Sequence, residues 1–254
     1  MRIKDLLPLL AAAPIAVSCS SGDELAMEAG SGRIDPSFAV DYAVSAGQTA
    51  TRSDSEEATV KPDISAFAFA LVSDDDGTTL SYDSLEELEA AEIDAASYTL
   101  TATYGDISAE GVDSAYYAGQ TSVTVSAGET ATPTLTATLA NTAVSMEYTS
   151  TFTQYFTSYS ATVASSEGST EVALSGDSSE WAYLTPGDIT LTVSYTKQNG
   201  VTGTATAAVV ESAQAQAHYH ITVDVNGGEA GTETITISFD STTTTETITI
   251  DLGA

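Results

Sequence analysis

The chain is poor in positive charge and in residues that hold metals or form cross-links. Its 254 residues include six Lys and Arg, two His, one Cys and one Trp against 36 Asp and Glu, a formal net charge of −30 at pH 7. One cysteine excludes an internal disulfide. So few cations exclude nucleic-acid binding, which depends on Lys and Arg at phosphates, and electrostatic attachment to anionic lipids.

A short apolar segment follows the N-terminus. Arg2 and Lys4 precede an apolar run over 6–17, and small residues then lead to Cys19. This layout predicts a signal peptide over 1–18, because the run is shorter than the roughly 20 residues that span a bilayer. Cys19 is either incidental to an ordinary signal peptide or a site of lipid attachment.

The segment around Cys19 resembles a bacterial lipobox, in which the leader is cut off before the cysteine and the thiol is acylated. That resemblance implies a mature chain that begins at Cys19 and is held to the outer membrane by lipid. Asp23 and Glu24 resemble the acidic export signal that sends lipoproteins of Bacteroides-type bacteria to the cell surface. We therefore predict an outer-membrane, lipid-anchored protein that is exposed at the cell surface.

Residues 19–63 carry no sustained hydrophobic periodicity. They contain Gly30-Ser31-Gly32 and an acidic cluster at 54–57, which is typical of a charged, flexible linker. We predict that 19–63 is the lipidated N-terminus and linker. The possible maturation cleavage site in this region is Arg52.

From Ile64 onward apolar and small polar residues alternate, which predicts β-strands. Threonine fills most outward positions, so we expect antiparallel sheets with one solvated face. The same pattern occurs in Tyr98–Tyr104 and in Ile189–Tyr195, and similar segments follow each of them. This repetition indicates that the two halves are copies of one unit. The prediction is all-β, with two tandem antiparallel β-sandwich domains (Ig-like or transthyretin-like) at 64–140 and 141–254.

Five segments carry a family resemblance: Ala96–Gly105, Ala115–Gly119, Leu139–Val144, Tyr155–Tyr159 and His218–Gly228. In order and spacing they resemble the Bacteroides-type lipoproteins known as the domain of unknown function 4493 family. The duplicated layout is more distantly similar to fimbrillins, the pilus subunits of the same bacteria. The resemblance implies fold and location; no activity follows from it.

The titratable residues do not form a motif typical of enzymes, so we predict no catalytic residue and no cofactor. His218 and His220 share one strand face, but zinc sites need three or four ligands, and a solvated strand face is the favoured interpretation. The run Asp74-Asp75-Asp76-Gly77 favours a hairpin turn over a calcium loop. We predict no metal site.

Two further groups of residues are candidates for surface chemistry. Four aromatic residues either stack on sugar rings from solvent or pack inside the sheets: Tyr116, Tyr117, Trp181 and Tyr183. Three serines follow aspartates in the short O-glycosylation pattern used by exported proteins of these bacteria: Ser84, Ser114 and Ser241. Ser84 also begins a predicted capping box with Glu87, which indicates a short helix.

These observations predict a non-enzymatic structural or adhesive surface lipoprotein, with a surface protein or glycan as partner and no nucleic acid. A fimbria-like version would use the tail strand at 245–252 as a donor to a neighbouring subunit. Pairing of that tail within its own domain is the favoured alternative. The rival function is a glycan-binding lipoprotein that serves polysaccharide uptake.

Overall fold

The computed structural model describes residues 30–46, 56–226, 234–241 and 244–251. Within these ranges the chain is predominantly β, so the predicted all-β class is confirmed. Strands β1 to β12 are Ser31–Ile34, Ser37–Asp41, Ala43–Ala46, Glu56–Glu57, Ala68–Ser73, Thr79–Tyr82, Ile93–Asp94, Ser97–Tyr104, Gly111–Val112, Tyr117–Thr124, Thr130–Ala131 and Thr134–Leu139.

The second half continues in the same way. Strands β13 to β21 are Thr142–Tyr148, Phe156–Ser165, Val172–Leu174, Ala182–Leu184, Ile189–Lys197, Thr202–Val210, Ala217–Asn226, Thr234–Ser241 and Thr244–Asp251. The helical elements are a 3₁₀ turn at Ile64–Ala66, helix α1 at Leu85–Ala90 and helix α2 at Ser150–Tyr155.

Alternation along the strands explains how they pack. In β8, Tyr98, Leu100 and Ala102 are buried, while the threonines between them are half-exposed. β17 repeats this arrangement, with Ile189, Leu191 and Val193 fully buried. In its sheet, β8 lies between β5 and β10. In the same way, β17 lies between β14 and β18. The strands predicted from period-two alternation are confirmed.

The helices are short and begin at side-chain caps. The Ser84 hydroxyl accepts a hydrogen bond from the Glu87 N–H at 3.2 Å, and the Glu87 carboxylate accepts one from the Asp83 N–H at 2.8 Å. The predicted capping box is therefore confirmed, with the second bond one residue before the cap. Thr149 caps α2 in a similar way. Within the described ranges, we find no helix with the length and hydrophobicity needed to cross a membrane.

The described strands form four sheets around two hydrophobic cores. The first core lies between the six-stranded sheet β2-β12-β10-β8-β5-β6 and the small sheet β11-β1-β7, with α1 at its side. The second lies between the four-stranded sheet β15-β14-β17-β18 and one face of the eight-stranded sheet β21-β20-β19-β13-β16-β9. This is the predicted pair of β-sandwiches.

The sheets are mixed rather than purely antiparallel. Among the described strands, four pairings are parallel: β1 with β11, β2 with β12, β3 with β19, and β13 with β19. Between β13 and β19 the chain crosses to the four-stranded sheet and returns, and parallel neighbours require such a crossover. The expectation of uniformly antiparallel sheets is wrong at these four places.

The described part of the expected flexible linker is largely ordered as strands. β1 and β2 pair with strands around the first core, whereas β3 pairs with β19 next to the second. Ile34 and Val44 are buried in the first core, which gives these strands a reason to dock. The linker prediction is therefore wrong for 31–46. Cys19, Asp23, Glu24 and Arg52 lie outside the described residues, so what was predicted of them stays a prediction.

The tail strand pairs within the chain. β21 runs antiparallel to β20, from Thr234 opposite Asp251 to Ser241 opposite Thr244. The favoured alternative for the tail, pairing inside its own domain, is the arrangement that the structure contains.

Candidate functional site

The two cores meet at a shared sheet. In β13, Val144 and Met146 face the second core, while Ala143 on the opposite face belongs to the first. A strand buried on both faces carries consecutive apolar residues, which β13 does. We call this contact region the junction: β13, β16 and the start of β19, packed against residues 43–46, residues 56–60 and Tyr117.

Two aromatic residues of the second half belong to the first core. Trp181 has 3% of its surface exposed and Tyr183 has none. The Tyr183 hydroxyl lies 2.8 Å from the Thr59 Oγ1 and accepts a hydrogen bond from the Val60 N–H at 3.2 Å. Burial raises the pKa of Tyr183, so the hydroxyl keeps its proton. These contacts attach residues 59–60 to the second sandwich.

Tyr117 completes this aromatic group from the first half. It is fully buried and its hydroxyl donates to the Val60 carbonyl at 2.8 Å. Burial also raises the pKa of Tyr117. Of the two alternatives for these aromatic residues, packing inside the sheets describes Tyr117, Trp181 and Tyr183, and stacking on sugars from solvent does not. Tyr116 is half-buried. Sugar stacking on the three buried rings would require the junction to open.

A chain of polar side chains crosses the junction beside these rings. The Ser145 Oγ lies 2.8 Å from the His218 Nε2 and 2.9 Å from the His220 Nδ1. On the far side of His218, its Nδ1 lies 2.8 Å from the Glu56 Oε2. On the far side of His220, its Nε2 lies 3.7 Å from the Glu147 Oε1. We call these five residues the histidine cluster.

The two histidines have different surroundings. The His218 ring stacks on the indole of Trp181, with ring centroids 3.7 Å apart and planes inclined by 16°. Burial lowers the pKa of His218; the hydrogen bond and charge of Glu56 oppose this, and His220 adds to it. The side chain of His220 is 29% exposed, against 8% for His218. The predicted solvated face is therefore wrong for His218.

The cluster does not form a nucleophile. The order Glu56, His218, Ser145 matches the acid, base and hydroxyl of a hydrolase triad in its contacts. However, Ser145 is fully buried and its oxygen already contacts two imidazoles, so a substrate carbonyl cannot reach it. In the described part of the chain, no group of three or more His, Cys, Asp and Glu is placed to hold a metal ion.

Glu110 clamps the two sandwiches together at another edge of the junction. It precedes β9, which pairs with β16 across the two halves. Its Oε1 accepts a hydrogen bond from the Thr185 N–H at 2.8 Å, and its Oε2 accepts from the N–H groups of Ser169 and Thr170, both at 3.1 Å. One carboxylate of the first half thus satisfies three backbone donors of the second.

A second candidate site is a groove of about 540 Å³ on the four-stranded sheet. Strand alternation places its serine and threonine hydroxyls on the face away from the core, where most are exposed, whereas Tyr195 packs in the second core. None of its lining residues is charged, although the chain is strongly acidic. We call it the hydroxyl groove, and it is lined by Ser158, Tyr159, Ser160, Ser194, Tyr195, Thr196, Thr202, Gly203 and Thr204.

The remaining predicted sites belong to neither the histidine cluster nor the groove. Ser84 caps α1, and the half-buried Ser114 donates to the Val112 carbonyl at 3.4 Å. Ser241 ends β20, and its side chain is outside the described part. Asp76 accepts from the Thr78 N–H in a turn that contains Gly77 at a φ of +72°, so the predicted turn is confirmed. O-glycosylation of the three serines stays a prediction.

Sequence reasoning missed Glu56, Glu110 and Ser145. Glu56 and Ser145 lie 162 and 73 residues before His218, so no local spacing links them. One signal was available: consecutive apolar residues at 143–144 and at 181–184 indicate strands covered on both faces. Polar residues within or beside such strands are expected to be hydrogen-bonded.

Several solved structures are similar to this chain. They include a candidate cell adhesion protein from Bacteroides fragilis, with 12% identity, a TM-score of 0.41 and coverage of 85% of this chain and 99% of that one. The fimbrial anchor protein Mfa2 from Porphyromonas gingivalis has 12% identity, a TM-score of 0.41 and coverage of 83% and 98%. A candidate polysaccharide-binding protein from Bacteroides thetaiotaomicron has 9% identity, a TM-score of 0.44 and coverage of 81% and 95%.

At such identities few side chains correspond, so these matches assign no role to any residue here. No curated protein matches the chain. A family model does match, over residues 35–253, which include the junction, the groove and all described strands except β1. The chain belongs to the family described as Domain of unknown function (DUF4493).

Proposed function

We propose that the chain is a non-enzymatic, lipid-anchored surface protein with a structural or adhesive role in the outer membrane. The observation that carries this proposal is the junction, where a shared sheet, Glu110 and the β9–β16 pairing join two sandwiches into one body. Its buried polar residues hold elements together, and the Ser145 hydroxyl beside the two histidines is closed to solvent. Cys19 supplies the anchor and the acidic residues after it direct export.

The anchor is tested in the native organism by membrane fractionation and by protease treatment of intact cells. The wild-type chain is expected in the outer membrane and accessible to protease. Cys19→Ala should release it from the membrane, whereas the neighbouring Ser21→Ala should leave it there. A Cys19→Ala chain that stays in the outer membrane, or a wild-type chain protected in intact cells, would contradict the proposal.

The fimbria-like version makes a separate prediction. If neighbouring subunits exchange the tail strand, an unheated gel of outer-membrane extract should show a ladder that collapses on heating. The pairing of β21 with β20 favours a self-contained subunit, for which one band should run alike with and without heating. The same antibody detects both outcomes.

Glycan binding is the second candidate function, and the hydroxyl groove favours it. Its serine and threonine side chains both donate and accept hydrogen bonds, as sugar hydroxyls do. A lining without charge would suit a neutral polysaccharide. The test is retention on immobilised neutral polysaccharides for the wild type, for Thr204→Asp in the groove, and for Thr206→Asp.

Thr206 is the matched control. It lies two residues along β18 from Thr204, on the same exposed face, and is not among the groove residues. Retention that is lost in Thr204→Asp and kept in Thr206→Asp supports the groove as a sugar site. Absence of retention in the wild type, or equal retention in all three proteins, removes this function.

A further inference from the structure

The hydrogen bonds of the histidine cluster depend on the single hydrogen of the Ser145 hydroxyl. The Ser145 Oγ has two imidazole nitrogens at hydrogen-bonding distance, the His218 Nε2 and the His220 Nδ1. A hydroxyl donates one hydrogen bond and accepts others. Both contacts are hydrogen bonds that also use the serine hydrogen only if one of these nitrogens carries a proton and the other does not. The hydrogen bonds of the cluster therefore run in one direction, and the orientation of the Ser145 hydroxyl sets that direction.

With both imidazoles neutral, one arrangement is favoured. The His218 Nδ1 faces the Glu56 carboxylate at 2.8 Å, so it carries the proton and donates. Its Nε2 is then bare and accepts from Ser145, while the His220 Nδ1 donates to the serine oxygen. The opposite arrangement would set a bare nitrogen of His218 against a carboxylate, where two acceptors repel each other.

The histidine cluster can bind one additional proton without losing a hydrogen bond. On the His220 Nε2 it faces the Glu147 carboxylate, 3.7 Å away, and every existing hydrogen bond stays. The same proton also fits on His218 if Ser145 reverses its hydroxyl and donates to His220. Either way the hydrogens on both sides of Ser145 have acceptors, the His220 Nε2 faces Glu147 at ion-pair distance, and one positive charge lies between two carboxylates.

A second proton does not fit. Both nitrogens that face Ser145 would then carry hydrogen, so its oxygen would have to accept twice while its own hydrogen lost its acceptor. Ser145 is fully buried, which leaves no solvent to replace that acceptor. Two imidazolium rings would also lie on either side of one oxygen atom. Burial and the neighbouring histidine, which lower the pKa of His218, act in the same direction.

Among the described strands beside the cluster, the charged residues are all acidic. β4 contributes Glu56 and β13 contributes Glu147, which are already in the cluster. On β20, Asp240 is the register partner of His220. β3 has the uncharged sequence Ala-Val-Ser-Ala, and beside β16 the uncharged Trp181 covers His218.

We propose that the histidine cluster is an acid-sensitive latch, which accepts one proton without rearrangement and opens at the junction when it is forced to accept a second. Opening separates His218 from Trp181 on one side and from Glu56 on the other. Glu56 lies on β4, which pairs with β3, and β3 is paired with β19. Loss of the latch thus frees β3 and β4 from the second sandwich.

Trp181 is the one tryptophan of the chain, so its fluorescence reports this site directly. The experiment follows that fluorescence and the ¹⁵N shifts of the histidine rings from about pH 8 to about pH 4.5, a range that brackets the ordinary histidine pKa, using the full chain in detergent. In the wild type we expect two separate protonation steps, with the Trp181 signal changing only in the lower one. A single step shared by both rings would overturn the proposal.

Two variants sharpen the test. His220→Gln removes the competing charge, so the Trp181 step should move up by about one pH unit. Because His220 is partly exposed, this variant is expected to fold, which circular dichroism checks. Glu171→Gln, at an exposed site with no contact to the cluster, should leave both steps unchanged. If the Trp181 step does not move in folded His220→Gln, the two histidines are not coupled through Ser145. That result would overturn the proposal.

Discussion

The junction and the hydroxyl groove are both built from polar side chains on strands of the second half, but burial gives them opposite properties. In the junction, Ser145 is fully buried and has two imidazole neighbours. In the groove, Ser160 and Thr204 are exposed on an open sheet face. The comparison shows that strand alternation alone does not tell a solvated polar position from one enclosed by a second domain.

The largest effect should come from breaking the junction at Trp181. Trp181→Ala removes a buried ring that packs in the first core and stacks on His218. Core Trp to Ala changes cost about 3 to 5 kcal/mol, so urea unfolding should show a loss in that range. The exposed Tyr159 of the groove gives the contrast, and Tyr159→Ala should cost much less. Equal losses would contradict the difference between the two regions.

Glu110→Ala should have the next largest effect. The change leaves the N–H groups of Ser169, Thr170 and Thr185 without their carboxylate acceptor. Hydrogen bonds to charged groups contribute about 1.5 to 3 kcal/mol, so a loss of about 2 kcal/mol is expected. Amide hydrogen exchange should speed up at these three residues.

Two variants serve as references for that clamp. Glu110→Gln keeps one carbonyl acceptor and should lose less stability than Glu110→Ala. Glu171→Gln, on the exposed surface, should lose almost none. Unchanged exchange at Ser169, Thr170 and Thr185 in Glu110→Ala would show that the clamp does not hold the two sandwiches in solution.

The third prediction concerns acid. Because the folded-state pKa of His218 is lowered, the unfolded chain binds more protons there in mildly acidic solution. The associated stability is fully present above the unfolded pKa of about 6.5 and is lost as the pH falls from there through the folded pKa. Groove variants should keep the wild-type pH dependence, because neither histidine nor a carboxylate is among the residues that line the groove.

The check is urea unfolding of the wild type and of His218→Gln between about pH 7.5 and about pH 5, on either side of the ordinary histidine pKa. The wild type should lose more stability across this range than the variant, since glutamine does not titrate. Most carboxylates titrate at lower pH and contribute similarly to both proteins. Parallel curves for the two proteins would contradict a role for His218 in acid sensitivity.

The sequence predicted what depends on local pattern. Alternation identified strands such as β8 and β17, and Ser84 with Glu87 identified α1. It did not place Glu56 on His218 or Trp181 in the first core, because those contacts join distant segments. The linker was misjudged for a related reason: β1 to β3 are short and pair in parallel with strands far along the chain.

The smallest effect should come from the groove itself. Ser160→Ala removes a hydroxyl from an exposed strand position in the groove, and surface changes of this kind usually alter stability by less than about 0.5 kcal/mol. Ser145→Ala removes the same kind of group from the junction, where it leaves the His218 Nε2 without its donor, and should cost about 1 to 3 kcal/mol. Urea unfolding of both variants at neutral pH compares the two regions with nearly matched chemistry. Since each variant loses one hydroxyl, the difference between their losses measures what enclosure by the first sandwich adds to a polar side chain on these strands.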